Sequence, residues 1–425
     1  MALSLGEIND RLTALEAFPD ENGQPFCKRR LFQSYWGRNT YFLEITRDAG
    51  QQADNGIEAF QFDPKKTGIL LIGGLVGNEP DPAEGLVCAA QLFAKTVQDL
   101  LAWRGHNAQF TINGSVFTLA TVKAILDKLD IVIVPVVDKD GYPTARGSDG
   151  VDLSRNFPVL WNMEQYDVVN SKWNPYFFNN KNPVGTWNQP DPLIPAAVDS
   201  LTPQSETKAL MTLMRKNVSA FVNFQTGYGG QIMYPWGFFS ANQGNISWRY
   251  CNPYFTWLTP KPGETATPSY AEYMPQAAIN NQTAAATAMQ SALASAGADF
   301  CIHAANEIWK YDGNNPTTKA RAWGTKAPDP AGGICIDYFI MLDLCRVISL
   351  HIESGDPGDP TGNITRNIQA CFLSLTNFML SFAPAEGARR PCPSKDANGD
   401  PWDWPDDIDQ DWKRTPTTPG GTSGW

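Results

Sequence analysis

The sequence predicts an α/β fold: a single three-layer domain with a mixed, mostly parallel sheet covered by helices on both faces. Three observations carry this. GILLIGG at 68–74 and DIVIVPVV at 130–137 are apolar on both faces, as only strands covered on both sides are. Helix-periodic segments follow or precede each of them. The alternation continues to the last predicted helix near residue 380, with no internal repeat, and this is the arrangement of a covered parallel sheet.

Taken in order, residues 5–15 carry helical apolar spacing, and 40–46 (TYFLEIT) alternate as a half-buried strand does. The 68–74 strand leads into a long helix predicted over 82–103. A second helix is expected at 117–129, feeding the strand at 130–137. Residues 204–216 read as helix and 219–225 as strand. Residues 275–295 form an Ala-rich helix whose leading proline suits a first turn. Short strands follow at 299–303 and 346–353, and the domain closes with a helix at 364–380.

Two stretches interrupt this plan, 158–200 and 238–269, both rich in Trp, Tyr, Phe, Asn and Pro. They are expected as long ordered loops. The domain is bounded at 1–382. From 383 to 425 the chain holds seven prolines, four tryptophans and the acidic run DPWDWPDDIDQDW, a composition unsuited to a helix or a central strand. It reads as a tail that lies on the domain or engages a partner.

Composition narrows the function. The 425 residues include 33 basic and 44 acidic side chains, a net charge of −11. That charge opposes nonspecific attraction to nucleic acid or an anionic membrane. No apolar run approaches the roughly 20 residues that cross a bilayer, and the start, MALSLGEINDRL, lacks the basic-then-apolar pattern of a secretory signal. Localisation stays open between the cytoplasm and a virion-like assembly. Eight cysteines are scattered without a Cys-x-x-Cys pair, so they are expected to pack as small apolar side chains, with disulfides left open.

In open α/β sheets ligands bind beyond the carboxyl ends of the strands, so the residues just after each strand are the candidates. They are Leu75-Val76-Gly77-Asn78-Glu79, then Asp138-Lys139-Asp140-Gly141-Tyr142, then Gly150-Val151-Asp152-Leu153-Ser154-Arg155-Asn156-Phe157. Next comes Gln225-Thr226-Gly227-Tyr228 with the GGQIMYPWG segment, and last Glu353. In order and spacing this series resembles the zinc carboxypeptidase family, of the carboxypeptidase A/B type. That family carries Gly-Gly-x-His-x-x-Glu, Asn-Pro-Asp-Gly-Tyr, Gly-Val-Asp-x-Asn-Arg-Asn-Phe, a strand ending His-Ser-Tyr, and a late catalytic Glu. The resemblance covers about residues 5–382.

The resemblance implies peptide hydrolysis at a zinc ion held by three protein donors, with an open position for water. Glu79 matches the glutamate ligand. The first histidine position holds Val76, which has no donor atom. The second falls on Gln225 when counted forward from the strand, or on Thr226 when counted back from GGQIMYP; neither is an imidazole, and both are poor zinc donors. Arg155 matches the arginine that grips a substrate carboxylate, with Ser154 replacing the paired asparagine. Arg146 stands for the oxyanion arginine and Glu353 for the catalytic glutamate. The family's tyrosine before a Gly-Gly pair has no counterpart ahead of Gly332-Gly333. Of the three histidines, His106 falls in a surface loop, while His351 and His303 sit on predicted strands. His351 shares a strand face with Glu353.

Two readings follow. In the first the chain is a carboxypeptidase-like pseudoenzyme with a degenerate metal site. It needs no cofactor, acts in binding or assembly, and takes a peptide or protein C-terminus in the cleft or a protein partner through its aromatic loops and tail. In the alternative it is an active metallocarboxypeptidase that holds zinc through a rearranged set including His351 or His303. Neither reading involves nucleic acid or a membrane.

Overall fold

The computed structural model describes residues 2–33, 39–49, 56–103, 108–143, 153, 157, 166–167, 172–173, 205–216, 218–226, 230–234, 276–298, 300–304, 335–336, 339, 348–355 and 363–381. The stretches expected as long loops, 158–200 (apart from two residue pairs) and 238–269, and the stretch expected as a tail, 383–425, lie outside them. In chain order the elements are α1 (Leu5–Leu15), β1 (Cys27–Gln33), β2 (Asn39–Ile45), α2 (Gly56–Ala59), β3 (Thr67–Ile72), α3 (Pro80–Ala102), β4 (Gln109–Ile112), β5 (Ser115–Thr118), α4 (Leu119–Lys128) and β6 (Leu129–Val134). Then follow β7 (Tyr166–Asp167), β8 (Lys172–Trp173), α5 (Ser205–Met214), β9 (Val218–Gln225), β10 (Gln231–Tyr234), α6 (Gln276–Ser295), β11 (Cys301–Ala304), β12 (Ile348–Glu353) and α7 (Asn363–Leu380).

Eight strands form one sheet in the order β1-β2-β6-β3-β9-β12-β10-β11. Its centre, β6-β3-β9-β12, is parallel. β1 and β2 run antiparallel at one side, and β10 opposes β12 while pairing parallel with β11 at the other. The mixed sheet with helices on both faces is therefore observed.

One face is apolar across its centre. Ile69 and Leu71, Ile131 and Ile133, Ala220, Val222 and Phe224, and Ile348, Leu350 and Ile352 pack beneath α1, α3, α4, α6 and α7 in one continuous core. The opposite face receives α2 and α5 and carries a different set. Phe42 meets Phe60 edge to face at 5.2 Å between ring centroids, and Phe221 meets Phe339. Polar side chains are mixed among these aromatics, including the buried Arg30, Glu44 and Asn223.

Local chemistry explains the helix ends. Ser4 caps α1: its hydroxyl accepts the Glu7 N–H while the Glu7 carboxylate accepts the Ser4 N–H, a reciprocal box that satisfies two orphan donors. Pro80 opens α3 where its missing N–H costs nothing. The Thr118 hydroxyl accepts the Thr121 N–H at 3.1 Å, so α4 starts two residues later than periodicity predicts. Phe117 belongs to β5 instead. The β4–β5 hairpin turns through Asn113 and Gly114, both at positive φ, the two-residue connection favoured by strand twist. Among the cysteines whose side chains are described, Cys27, Cys335 and Cys371 are buried, Cys88 is half-buried, and all four are free thiols, in keeping with apolar packing. No helix among the described residues is long and apolar enough to cross a membrane.

Candidate functional site

The site candidates gather at the carboxyl ends of the four central parallel strands, joined by a series of hydrogen bonds that follows the sheet order. After β6, the buried Asp138 carboxylate accepts from Gly141 N through Oδ1 and from Gly77 N through Oδ2, both at 3.0 Å. Its two oxygens thus tie the loop after β6 to the loop after β3. The Gly74 carbonyl reinforces this by accepting from Val137 N at 3.2 Å and Asp138 N at 2.8 Å. Gly74 has φ +51°, and a β carbon there would stand 3.0 Å from the Pro135 carbonyl oxygen; glycine is the residue this approach requires.

The loop after β3 presents Val76 and Glu79. Val76 is buried, and its carbonyl accepts the Glu79 N–H at 3.0 Å. The Glu79 carboxylate reaches the end of β9, where Oε2 accepts the backbone N–H of Thr226 at 3.0 Å. The carbonyl of Gln225 accepts from both the N–H and the hydroxyl of Ser354, at 2.9 and 2.8 Å. Ser354 follows β12, and its own carbonyl accepts Asn367 Nδ2 from α7 at 2.9 Å. Asp138, Glu79 and Ser354 thus link the ends of β6, β3, β9 and β12.

Glu353 closes β12 in register with Gln225 on β9 and Gln231 on β10. Paired positions on neighbouring strands face the same side, so these three side chains form one polar row across the sheet. A second row lies one pleat deeper: Asn223, His351 and Met233, with His303 of β11 in register with Met233.

The electrostatics of the rows differ. Burial pushes the Glu353 carboxyl up to about 7, and the negative charge of Glu79 adds to the rise. His351 moves the other way, down to about 4, because burial disfavours its cation. Its Nδ1 lies 3.0 Å from Asn223 Nδ2, within hydrogen-bond distance of the side-chain amide.

Three polar atoms at the end of β9 are buried without hydrogen-bond partners among the described residues: Asn223 Oδ1, Gln225 Nε2 and Thr226 Oγ1. Orphaned atoms of this kind cost stability and mark places where a ligand or water completes the bonding.

Among the sequence candidates, Val76, Glu79, Gln225, Thr226 and Glu353 are brought together here. Arg146, Ser154, Arg155, His106 and the Gly332-Gly333 pair lie outside the described residues. No group of three or more His, Cys, Asp or Glu side chains able to hold a metal occurs among the described residues. Asp138 stands in the candidate series after the 130–137 strand but was assigned no role there, and Asn223 and Ser354 are site residues that sequence reasoning passed over. Asp138 had a visible signal, an Asp where the family pattern has Asn; Asn223 and Ser354 had none, because their roles depend on strand register.

A family model described as zinc carboxypeptidase matches residues 26–358. No curated protein sequence matches the chain. Among solved structures, that of thrombin-activatable fibrinolysis inhibitor is 15% identical, with TM-score 0.50, and the alignment covers 90% of this chain and 74% of that one. Carboxypeptidase A from Helicoverpa armigera is 14% identical with TM-score 0.49, over 90% of this chain and 73% of that one. At such identities the first likeness speaks for the fold alone.

Proposed function

Because the chain belongs to the zinc carboxypeptidase family, we propose that it is a carboxypeptidase-like pseudoenzyme, a protein that keeps the family's cleft for binding or assembly and has given up its metal chemistry. The observation that carries this reading is the donor set at the ends of β3 and β9. Zinc in a hydrolytic site takes three protein ligands and leaves a fourth position for water. Here Val76 offers no donor atom, Gln225 and Thr226 offer only a neutral amide and a hydroxyl, and one oxygen of Glu79 is already engaged by the Thr226 N–H. On this reading the residues do not fit zinc.

The remaining groups suit binding. With its carboxyl raised to about 7, Glu353 is protonated in a large fraction of molecules near neutrality and donates a hydrogen bond as readily as it accepts one. Gln225 Nε2 and Thr226 Oγ1 hold unused hydrogen-bonding capacity beside it. The free carboxylate of a peptide or protein C-terminus is assigned to Arg155 by the motif resemblance, and the aromatic loops and the Trp-rich tail are the proposed surfaces for a protein partner. The alternative, an active enzyme with a rearranged zinc site, would recruit His351 or His303. The Nδ1 of His351 is hydrogen-bonded to Asn223, which leaves Nε2 as its nitrogen for such a role.

The test is zinc content by elemental analysis of purified protein, together with release of C-terminal residues from peptides. The pseudoenzyme reading expects neither. Stoichiometric zinc with peptidase activity refutes it. The double variant Val76→His, Gln225→His then asks whether the frame accepts zinc once imidazoles are supplied.

A further inference from the structure

We infer that Glu79 is a positioning residue that cross-links the ends of β3 and β9 directly, through the Thr226 backbone N–H, in the place where a zinc site would use the ion to join them. The inference rests on the pseudoenzyme reading and says how the cleft holds its shape on that reading.

A metal ion in this fold position would draw ligands from the loop after β3 and from the end of β9, and so tie the two together. Residues of both segments are present here, and a bond already runs between them: Glu79 Oε2 to Thr226 N, 3.0 Å. The acceptor is the carboxylate that matches the family's glutamate ligand. The donor is the backbone of one of the two residues that stand at the second histidine position. A charged acceptor on a backbone N–H is among the stronger hydrogen bonds, and the buried setting of Thr226 limits competition from water.

The neighbouring contacts make the link rigid without an ion. Asp138 fixes the Glu79 loop from the β6 side through Gly77 N. Ser354 fixes the Gln225 carbonyl from the β12 side with two hydrogen bonds. Glu79 completes the run between them. Gln225 Nε2 and Thr226 Oγ1, the orphaned atoms next to this link, are thereby held in place with their bonding capacity unspent.

The experiment is hydrogen–deuterium exchange on the full chain after chelator treatment, read at the Thr226 amide. That N–H donates to Glu79, so its protection reports this bond. Wild-type protein is expected to protect Thr226 with no metal present. In Glu79→Ala its exchange rises about tenfold or more, the equivalent of one hydrogen bond, while amides of the β3–β6 ladder are unchanged. In Glu79→Gln protection is retained, because the amide oxygen still accepts. Added zinc leaves wild-type exchange as it was.

An unprotected Thr226 in the chelated wild type overturns the inference. So does equal protection in Glu79→Ala, exchange in Glu79→Gln as fast as in Glu79→Ala, or slowing by zinc. Rescue by glutamine separates a specific acceptor role from a general loss of packing. Zinc content separates the two levels of the argument: stoichiometric zinc in purified protein defeats the pseudoenzyme reading, whereas zinc-free protein with a fast-exchanging Thr226 defeats only this inference.

Discussion

Glu353 and Gln225 occupy paired positions on adjacent parallel strands, a carboxyl beside an amide at the carboxyl edge of the sheet. The carboxyl has its ionised form disfavoured by burial and by Glu79, so it titrates near 7. A carbon-detected NMR titration of the Glu353 carboxyl is expected to show a midpoint near that value. Glu79→Gln removes the repelling charge and lowers the midpoint. The sign for stability follows. A carboxyl raised in the folded state adds stability that is full below its unfolded value and lost as pH rises toward about 7, so Glu353→Gln flattens that slope. A midpoint in the ordinary carboxylate range contradicts the description.

The orphaned amide of Gln225 makes a second expectation. A buried donor with no acceptor carries a desolvation penalty of about 1–3 kcal/mol, and an apolar side chain of similar size does not. Gln225→Leu is therefore expected to raise the unfolding free energy by about 1 kcal/mol after some loss of packing fit, read as a higher urea midpoint. Such a gain is the signature of a residue kept for binding at the expense of stability. A variant less stable than wild type would mean that Gln225 is satisfied in solution.

Much of the frame was readable from sequence because the central strands are apolar on both faces, and only a covered sheet explains that. β3 and β6 fall where GILLIGG and DIVIVPVV place them, although β6 ends at Val134, before Pro135, which has no N–H to continue a ladder. β1 was not readable. Its sequence, CKRRLFQ, puts Arg30 at a buried position, and only a partner on β2 makes that tolerable. The β4–β5 hairpin had a signal in Asn113-Gly114, obscured by the helix-like run that begins at Phe117. In the site, individual candidates were legible from motif spacing. Their connection was not: the Glu79–Thr226 bond joins residues 147 positions apart and uses a backbone donor that no side-chain pattern reveals.

The helix layer has its own tight contact. A β carbon added to Gly85 of α3 would lie 2.5 Å from Ile368 Cδ1 on α7, closer than packed atoms allow. The two helices meet at that glycine. Gly85→Ala is expected to destabilise by about 1–3 kcal/mol, despite alanine's better helix propensity. Adding Ile368→Ala in the same chain relieves the clash, so the pair costs less than the sum of the single changes, a non-additivity that denaturant titration of the four proteins measures. Additive losses would place the helices farther apart than described.

The last expectation concerns the far corner of the sheet, where Arg30 and Glu44 are buried together. Arg30 Nε donates to Glu44 Oε2 at 2.7 Å, its guanidinium also donates to the Ala49 carbonyl at 2.7 Å, and it lies over the Phe60 ring. Burial pushes the Glu44 carboxyl upward, the nearby Asp130 carboxylate adds to the rise, and Arg30 opposes both. Removing Arg30 takes away the countercharge of the buried Glu44 carboxyl, and removing Glu44 takes away the carboxylate that balances the buried guanidinium, so Arg30→Met or Glu44→Leu alone is expected to cost about 3–5 kcal/mol. The double replacement exchanges an ion pair for apolar contact and recovers most of that loss. pH separates Glu44 from the rest: with its folded value raised, its contribution is largest in acid and falls as pH rises through neutrality, and Glu44→Gln removes that part of the slope. Thermal melts of wild type, both single variants and the double across this pH range are the measurement. A double variant as unstable as either single one would show that the pair does more than balance its own charges.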